Sequence, residues 1–196
     1  MGAINKKDQI IEAAKIIFLD NGFKQTSMDQ IADKAEVARR TIYNQFQSKE
    51  KLFEEVINSI WKNISPYQVD IKDQDPYQTL LNIGQAIAKY WNSEEIRDYL
   101  RLVIAEGGQF PILPKLFYSK GKSPMIINVH NYLNELKDKK ILKIDNVELA
   151  AKQFFGMINE PLLWMRLIDN TSDVTAKQQN LIVESAADAF YRAYKI

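Results

Sequence analysis

Between Asp8 and Leu19 the apolar residues Ile10, Ile11, Ala14, Ile17 and Phe18 recur at intervals of three and four, the stripe of an amphipathic helix, and Asn21-Gly22 is predicted to end it. A second, short helix is predicted from about Ser27 to Lys34, with Thr26 or Ser27 as the capping hydroxyl and Met28, Ile31, Ala32 and Ala35 on its inner side. After a turn at Glu36-Val37, a third segment covers Ala38 to Gln45. Ser48 caps a fourth helix, whose early Glu50 suits the positive end of the dipole. That helix runs through Leu52, Phe53, Val56, Ile57, Ile60, Trp61 and Ile64 until Ser65-Pro66 stops it.

The polar stretch Val69 to Pro76 reads as a loop, followed by helices from Tyr77 to about Trp91 and from Glu94 to Glu106, the latter ended by Gly107-Gly108. Pro111 and Pro114 break the pattern before a short segment through Phe117 and Tyr118, and Pro124 opens a helix to about Leu136. Lys137 to Asp145 is turn-like, and two long helices finish the chain, roughly Asn146 to Ile168 and Ser172 to Lys195. No strand alternation is present, so the expected fold class is all-α with about nine helices. The expected domains are a three-helix unit, 1–47, and a helical body, 48–196, connected by the helix over 48–64.

At 196 residues and 46% hydrophobic, the chain buries a substantial core. It has no cysteine, which excludes disulfides, thiolate metal sites and cysteine nucleophiles and fits a reducing cytoplasm. No metal site and no cofactor are predicted. The apolar runs are far shorter than the roughly 18 to 20 residues of a membrane span, so no membrane partner is expected. The net charge of +1 argues mildly against nucleic acid, because phosphate binders usually carry a basic surplus; any basic patch has to be made by folding.

Periodicity alone leaves two readings of the first fifty residues: a buried helical hairpin with a solvated basic edge, or a helix-turn-helix. In the second, Ile31, Ala35, Val37, Ile42 and Phe46 clamp two helices together. Arg39 and Tyr43 are then four apart, as are Arg40 and Asn44, so the remaining faces offer donors to a groove.

The order T-S-M-D-x-I-A over Thr26 to Ala32, A-x-V over Ala35 to Val37, R-T-I-Y-N-x-F over Arg40 to Phe46 and S-K-E-x-L over Ser48 to Leu52 resembles the helix-turn-helix of the TetR repressor family. The resemblance implies phosphate contacts from Thr26 or Ser27, Tyr43 and Lys49, and base reading by Arg39, Arg40, Thr41 and Asn44. Lys49 also opens the fourth helix, whose free amides suit a phosphate. Two positions depart from the family pattern. Glu36 stands where glycine is common, which costs stability if its φ is positive. Arg40 replaces a small residue, and either adds a groove contact or changes base preference.

In the last helix the charges Glu184, Asp188, Arg192 and Lys195 form one narrow stripe, and the helix before it has little polar face. Such helices need more than one buried side. The TetR resemblance implies a homodimer through these last two helices, for which Gly156, Ala186 and Ala189 allow close approach; ordinary core packing is the alternative for each.

Leu100 to Pro111 and Leu116 to Tyr118 resemble the C-terminal domain of AefR-like TetR regulators, which implies a pocket for a small-molecule effector. Its candidate residues are Trp61, Leu102, Glu106, Phe110, Phe117, Val129, Met157, Glu160 and Trp164, each of which is otherwise plain core or solvated surface. Pro161 should kink its helix beside Glu160.

The expected function is a dimeric, ligand-responsive transcription regulator, in the sense of a repressor released from palindromic operator DNA by its effector. The rivals are a helical adaptor gated by a protein partner and an all-α enzyme. The enzyme reading has little support, since His130 is the only histidine and no phosphate loop or spaced acid and base pair occurs.

Overall fold

The computed structural model describes residues 5–63, 75–169 and 173–196. The Ser65-Pro66 stop, most of the Val69 to Pro76 loop and the expected helix start at Ser172 lie outside the described residues. Among the described residues the chain is all-α: α1 Lys6–Gln25, α2 Met28–Lys34, α3 Arg39–Phe46, α4 Lys49–Asn63, α5 Pro76–Asn92, α6 Glu94–Glu106, α7 Ile112–Phe117, α8 Ser123–Asp138, α9 Val147–Asn159, α10 Met165–Ile168 and α11 Ala176–Tyr194. Two π-helical turns, Tyr118–Lys122 and Glu160–Trp164, join α7 to α8 and α9 to α10, so these eleven α segments make nine continuous stretches.

Two compact units are formed, one from Met1–Ile64 and Asp98–Lys122, the other from Ser65–Arg97 and Ser123–Ile196. The first is centred on aromatic rings. Phe18 stacks on Phe23 at 5.6 Å between centroids, and Phe53 of α4 meets both edge-on at 5.4 and 5.5 Å. Tyr99 of α6 closes the cluster at 6.0 Å from Phe53, and its hydroxyl donates to the Lys15 carbonyl at 3.1 Å. These rings are fully buried, so α4 and α6 share one core with α1.

In the second unit α5 and α11 approach closely at Gly84, where an added Cβ would lie 2.6 Å from Val183 Cγ1. Phe154 and Phe190 pack α9 on α11 with centroids 5.2 Å apart, and Trp91 Nε1 donates to Asn159 Oδ1 at 2.7 Å. The buried guanidiniums of Arg97 and Arg166 both donate to the Trp91 carbonyl, at 2.6 and 3.3 Å, and so cap the carboxyl end of α5.

Several boundaries differ from the expected ones, each for a local reason. Gly22, at φ 77° and ψ 166°, kinks the first helix, but the chain resumes a final turn to Gln25. Pro114 does not break its segment, because it lies in the first turn of α7, where a missing amide leaves no helical bond unmade. Pro124 stands at the start of α8 as expected, but the preceding π turn makes α7 and α8 continuous where a break was expected. Pro161 falls within the π turn after α9, whose wider winding accommodates the missing donor. The last helix starts at Ala176, where Thr175 and Gln178 make a capping box.

Candidate nucleic-acid interface

α2 begins with a reciprocal cap: Ser27 Oγ accepts the Gln30 amide at 3.2 Å, and Gln30 Oε1 accepts the Ser27 amide at 2.7 Å. Ser27, not Thr26, is therefore the capping residue. The Thr26 hydroxyl is buried and donates to the carbonyls of Gly22 and Ile17 at 2.6 and 3.2 Å.

The turn out of α2 is a Schellman motif. The Val37 amide donates to the Ala32 carbonyl at 3.0 Å, the Glu36 amide to that of Asp33 at 3.2 Å, and Glu36 takes φ 52°. The left-handed position at which glycine is common thus carries a glutamate here. Gln9 of α1 braces the same turn, donating from Nε2 to the Ala35 carbonyl at 2.9 Å.

α3 is clamped on one side only. Ile42 and Phe46 are buried, as are Ile31 and Ala35 opposite them. Arg39, Arg40, Tyr43 and Asn44 are exposed, Tyr43 to 48%, and Thr41 is half-buried at the edge. A guanidinium pair, a phenol and an amide therefore share one helix outward of a rigid hairpin, which is the donor set that base edges and phosphates accept. Arg39 also pairs with Asp29 of α2 at 3.0 Å.

Lys49, at the start of α4, points inward. Its ammonium donates to the carbonyls of Phe23 and Thr26, both at 2.7 Å, and of Lys24 at 3.4 Å, and stands 4.5 Å from the Phe23 ring centroid. Burial lowers its pKa, against the opposing fields of Glu50 and Glu106. Its three protons are committed to carbonyls, so its side chain holds the entry to α2.

The residues singled out for an effector fall in both units. In the first, Leu102 is buried, and Trp61 meets buried Phe117 edge-on at 5.6 Å. Phe110 packs edge-on against Phe23 at 5.2 Å, and Glu106 accepts the amides of Phe23 and Lys24 at 2.9 and 2.7 Å. In the second unit, Val129 is buried, Met157 half-buried and Glu160 exposed, while Trp164 is 50% exposed.

An exposed apolar surface lies along the last helices, with Leu149 at 52%, Met165 at 61%, Ile168 at 80% and Leu181 at 66%. Gly156 and Ala189 are also exposed, whereas Ala186 is buried in its own chain. Among the described residues, no group of acids and histidine could hold a metal ion and no helix is long and apolar enough to cross a membrane.

Asp29 as the partner of Arg39, and Glu106 as the acceptor of two amides beside the Gly22 kink, are the features sequence reasoning missed. A positive-φ glycine followed by amides needing acceptors is a usable signal for the second, but its partner lies 82 and 83 residues along the chain.

Comparison with known proteins bears on the same two segments. Residues 10–56 match the family of bacterial regulatory proteins called tetR, and residues 78–196 match the AefR-like transcriptional repressor C-terminal domain. The HTH-type transcriptional regulator YhgD of Bacillus subtilis (strain 168) is 40% identical over 62 residues, which are 32% of this chain and 32% of that protein. This chain thus matches about a third of that relative's length. Among solved structures, the flavonoid-responsive regulator FrrA has a TM-score of 0.82 and 28% identity, with 97% of each chain covered. A TetR family transcriptional regulator from Pseudomonas syringae pv. tomato str. DC3000 has a TM-score of 0.78 and 26% identity, with 96% of each covered.

Proposed function

The chain belongs to the TetR family of transcriptional regulators, and from that premise we propose that it is a dimeric repressor that binds a palindromic operator and is released from it by a small-molecule effector. The observation that carries this reading is the outer face of α3, where Arg39, Arg40, Tyr43 and Asn44 stand exposed on a helix whose Ile42 and Phe46 are locked into a core. Rigid presentation matters because each base contact depends on geometry, whereas nonspecific attraction to phosphate does not.

In this reading Arg39, Arg40, Thr41 and Asn44 read bases, and Ser27 and Tyr43 hold phosphates. Lys49 and Thr26, whose polar groups are already engaged, shape the turn that carries Ser27. Residues 1–47 act as the reading head and the helix over 48–64 as its connection to the body. Two copies meet through α9 to α11, whose exposed Leu149, Trp164, Met165, Ile168 and Leu181 would be covered by the partner. Dimerisation places two recognition helices on half-sites about 34 to 36 Å apart.

The effector acts by preferring a dimer whose heads are spaced differently; a coupling of about 1 to 3 kcal/mol alters operator affinity some five- to 150-fold. The flavonoid-responsive name of FrrA supports a small molecule in that role. The aromatic pair Trp61 and Phe117 is the place to look for it, because a planar apolar ligand gains most from ring contacts.

Selection of duplexes from a random pool, followed by gel shifts, tests the assignment. Tyr43→Ala should weaken binding to every duplex, and Arg40→Ala should change which duplex is preferred. Selection that yields no preferred duplex contradicts it.

A further inference from the structure

The turn that enters the helix-turn-helix is gripped by opposite charges, each on the opposite pole of its peptide groups. The Glu106 carboxylate accepts the amides of Phe23 and Lys24, at 2.9 and 2.7 Å, while the Lys49 ammonium donates to the carbonyls of Phe23, Lys24 and Thr26. The grip requires the glycine before it: Gly22 sits at φ 77°, and a Cβ there would come within 2.3 Å of Glu106 Oε1. One residue after Thr26 is Ser27, the cap of α2.

Glu106 is the last residue of α6, where the helix dipole disfavours a carboxylate. It therefore contributes little to its own helix, and its two charge-assisted bonds are made entirely to the entry of the reading head. They are made to backbone, so they fix the path of the chain into α2 rather than one rotamer.

We propose that Glu106 is a positioning residue for DNA binding, which sets the orientation of α2 and α3 by holding the turn at Gly22 to Thr26. The inference rests on the reading of the protein as an operator-binding regulator. Loss of the carboxylate frees two amides and lets the hairpin take several orientations, which harms binding that depends on registered base contacts more than binding to phosphate alone.

The test uses the full chain, with Glu106→Ala and Glu106→Gln compared by amide NMR with hydrogen exchange, thermal melting, and binding to a duplex selected by the native protein and to an unrelated duplex. In Glu106→Ala the Phe23 and Lys24 amide signals should move and exchange at least about tenfold faster. Affinity for the selected duplex should fall about tenfold, and that for the unrelated duplex by less than about twofold. Glu106→Gln, which keeps one carbonyl acceptor, should lie between, and carries the same comparison should the alanine variant not fold. Unchanged exchange or unchanged preference between duplexes overturns the inference alone. Equal loss on both duplexes in step with a lower melting temperature also overturns it, since that is stabilisation without positioning. Failure of the native protein to select any duplex removes the DNA-binding reading itself, and this inference with it.

Discussion

Arg39 Nη1 lies 3.0 Å from Asp29 Oδ2, tying the first residue of α3 to the first turn of α2. The pair is solvent-exposed, so it adds little stability, but it holds the Arg39 guanidinium, proposed above to read bases, beside a carboxylate that opposes phosphate. Asp29→Asn should raise affinity for unrelated duplexes, on the order of 0.2–1 kcal/mol or up to about fivefold. Fluorescence anisotropy over a salt series checks this; weaker binding by the variant would show that Asp29 instead pre-orients Arg39.

Glu36 occupies a left-handed position at φ 52° in the turn between α2 and α3. Most residues incur about 1–2 kcal/mol there, while glycine does not, although glycine loses more freedom on folding. Glu36→Gly should therefore stabilise the protein by up to about 1 kcal/mol, read as a melting temperature higher by roughly 2–4 °C. A lower melting temperature would mean that the glutamate side chain contributes more than its backbone strain removes.

Lys49→Met keeps most of the apolar stem over Phe23 but leaves carbonyls that the ammonium now serves. Hydrogen bonds from a charged donor contribute about 1.5–3 kcal/mol, so chemical denaturation should show a loss of that order. The salt dependence of DNA binding should keep its slope, whereas a direct phosphate contact by the ammonium would reduce that slope by about one. Full native stability together with a reduced slope would restore the phosphate-contact role implied by family resemblance.

The contrast between these residues shows what was legible in the sequence. Amphipathic spacing located α1 to α6 because burial has to follow the helical period, and Ile31, Ala35, Ile42 and Phe46 lie inside as expected. Proline was an uneven guide: Pro124 stands at the start of α8 as expected, whereas Pro114 falls in the first turn of α7, where the missing donor leaves no helical bond unmade, and does not break its segment. The exposed face of α3 was legible as a list of residue types. The engagement of Lys49 and Glu106 was not, since both act on backbone groups of a turn, which have no side-chain signature, and Glu106 meets them from more than eighty residues away.

Gly156 offers a clean probe of the proposed dimer, because an added Cβ there meets nothing within 4 Å in its own chain. Gly156→Ala should raise the helix stability of an isolated chain by about 0.8–1 kcal/mol. In a dimer packed closely at this position, bulkier Gly156→Leu should instead shift the population toward monomer, as should Leu181→Glu on α11, which is 66% exposed in the single chain. Light scattering after size exclusion checks both variants; two stable dimers would place the contact elsewhere.

In the proposed repressor, the exposed faces of two α3 helices, one from each chain, engage one DNA duplex. Hydroxyl-radical footprinting of the full protein on its selected duplex, with stoichiometry from sedimentation, checks this arrangement. Two chains per duplex are expected, with two protected half-sites related by a palindrome, one helical turn or a multiple of it apart at about 34 to 36 Å per turn. A single chain protecting a single tract, or protection that survives replacement of both Arg40 and Tyr43 by alanine, would contradict it.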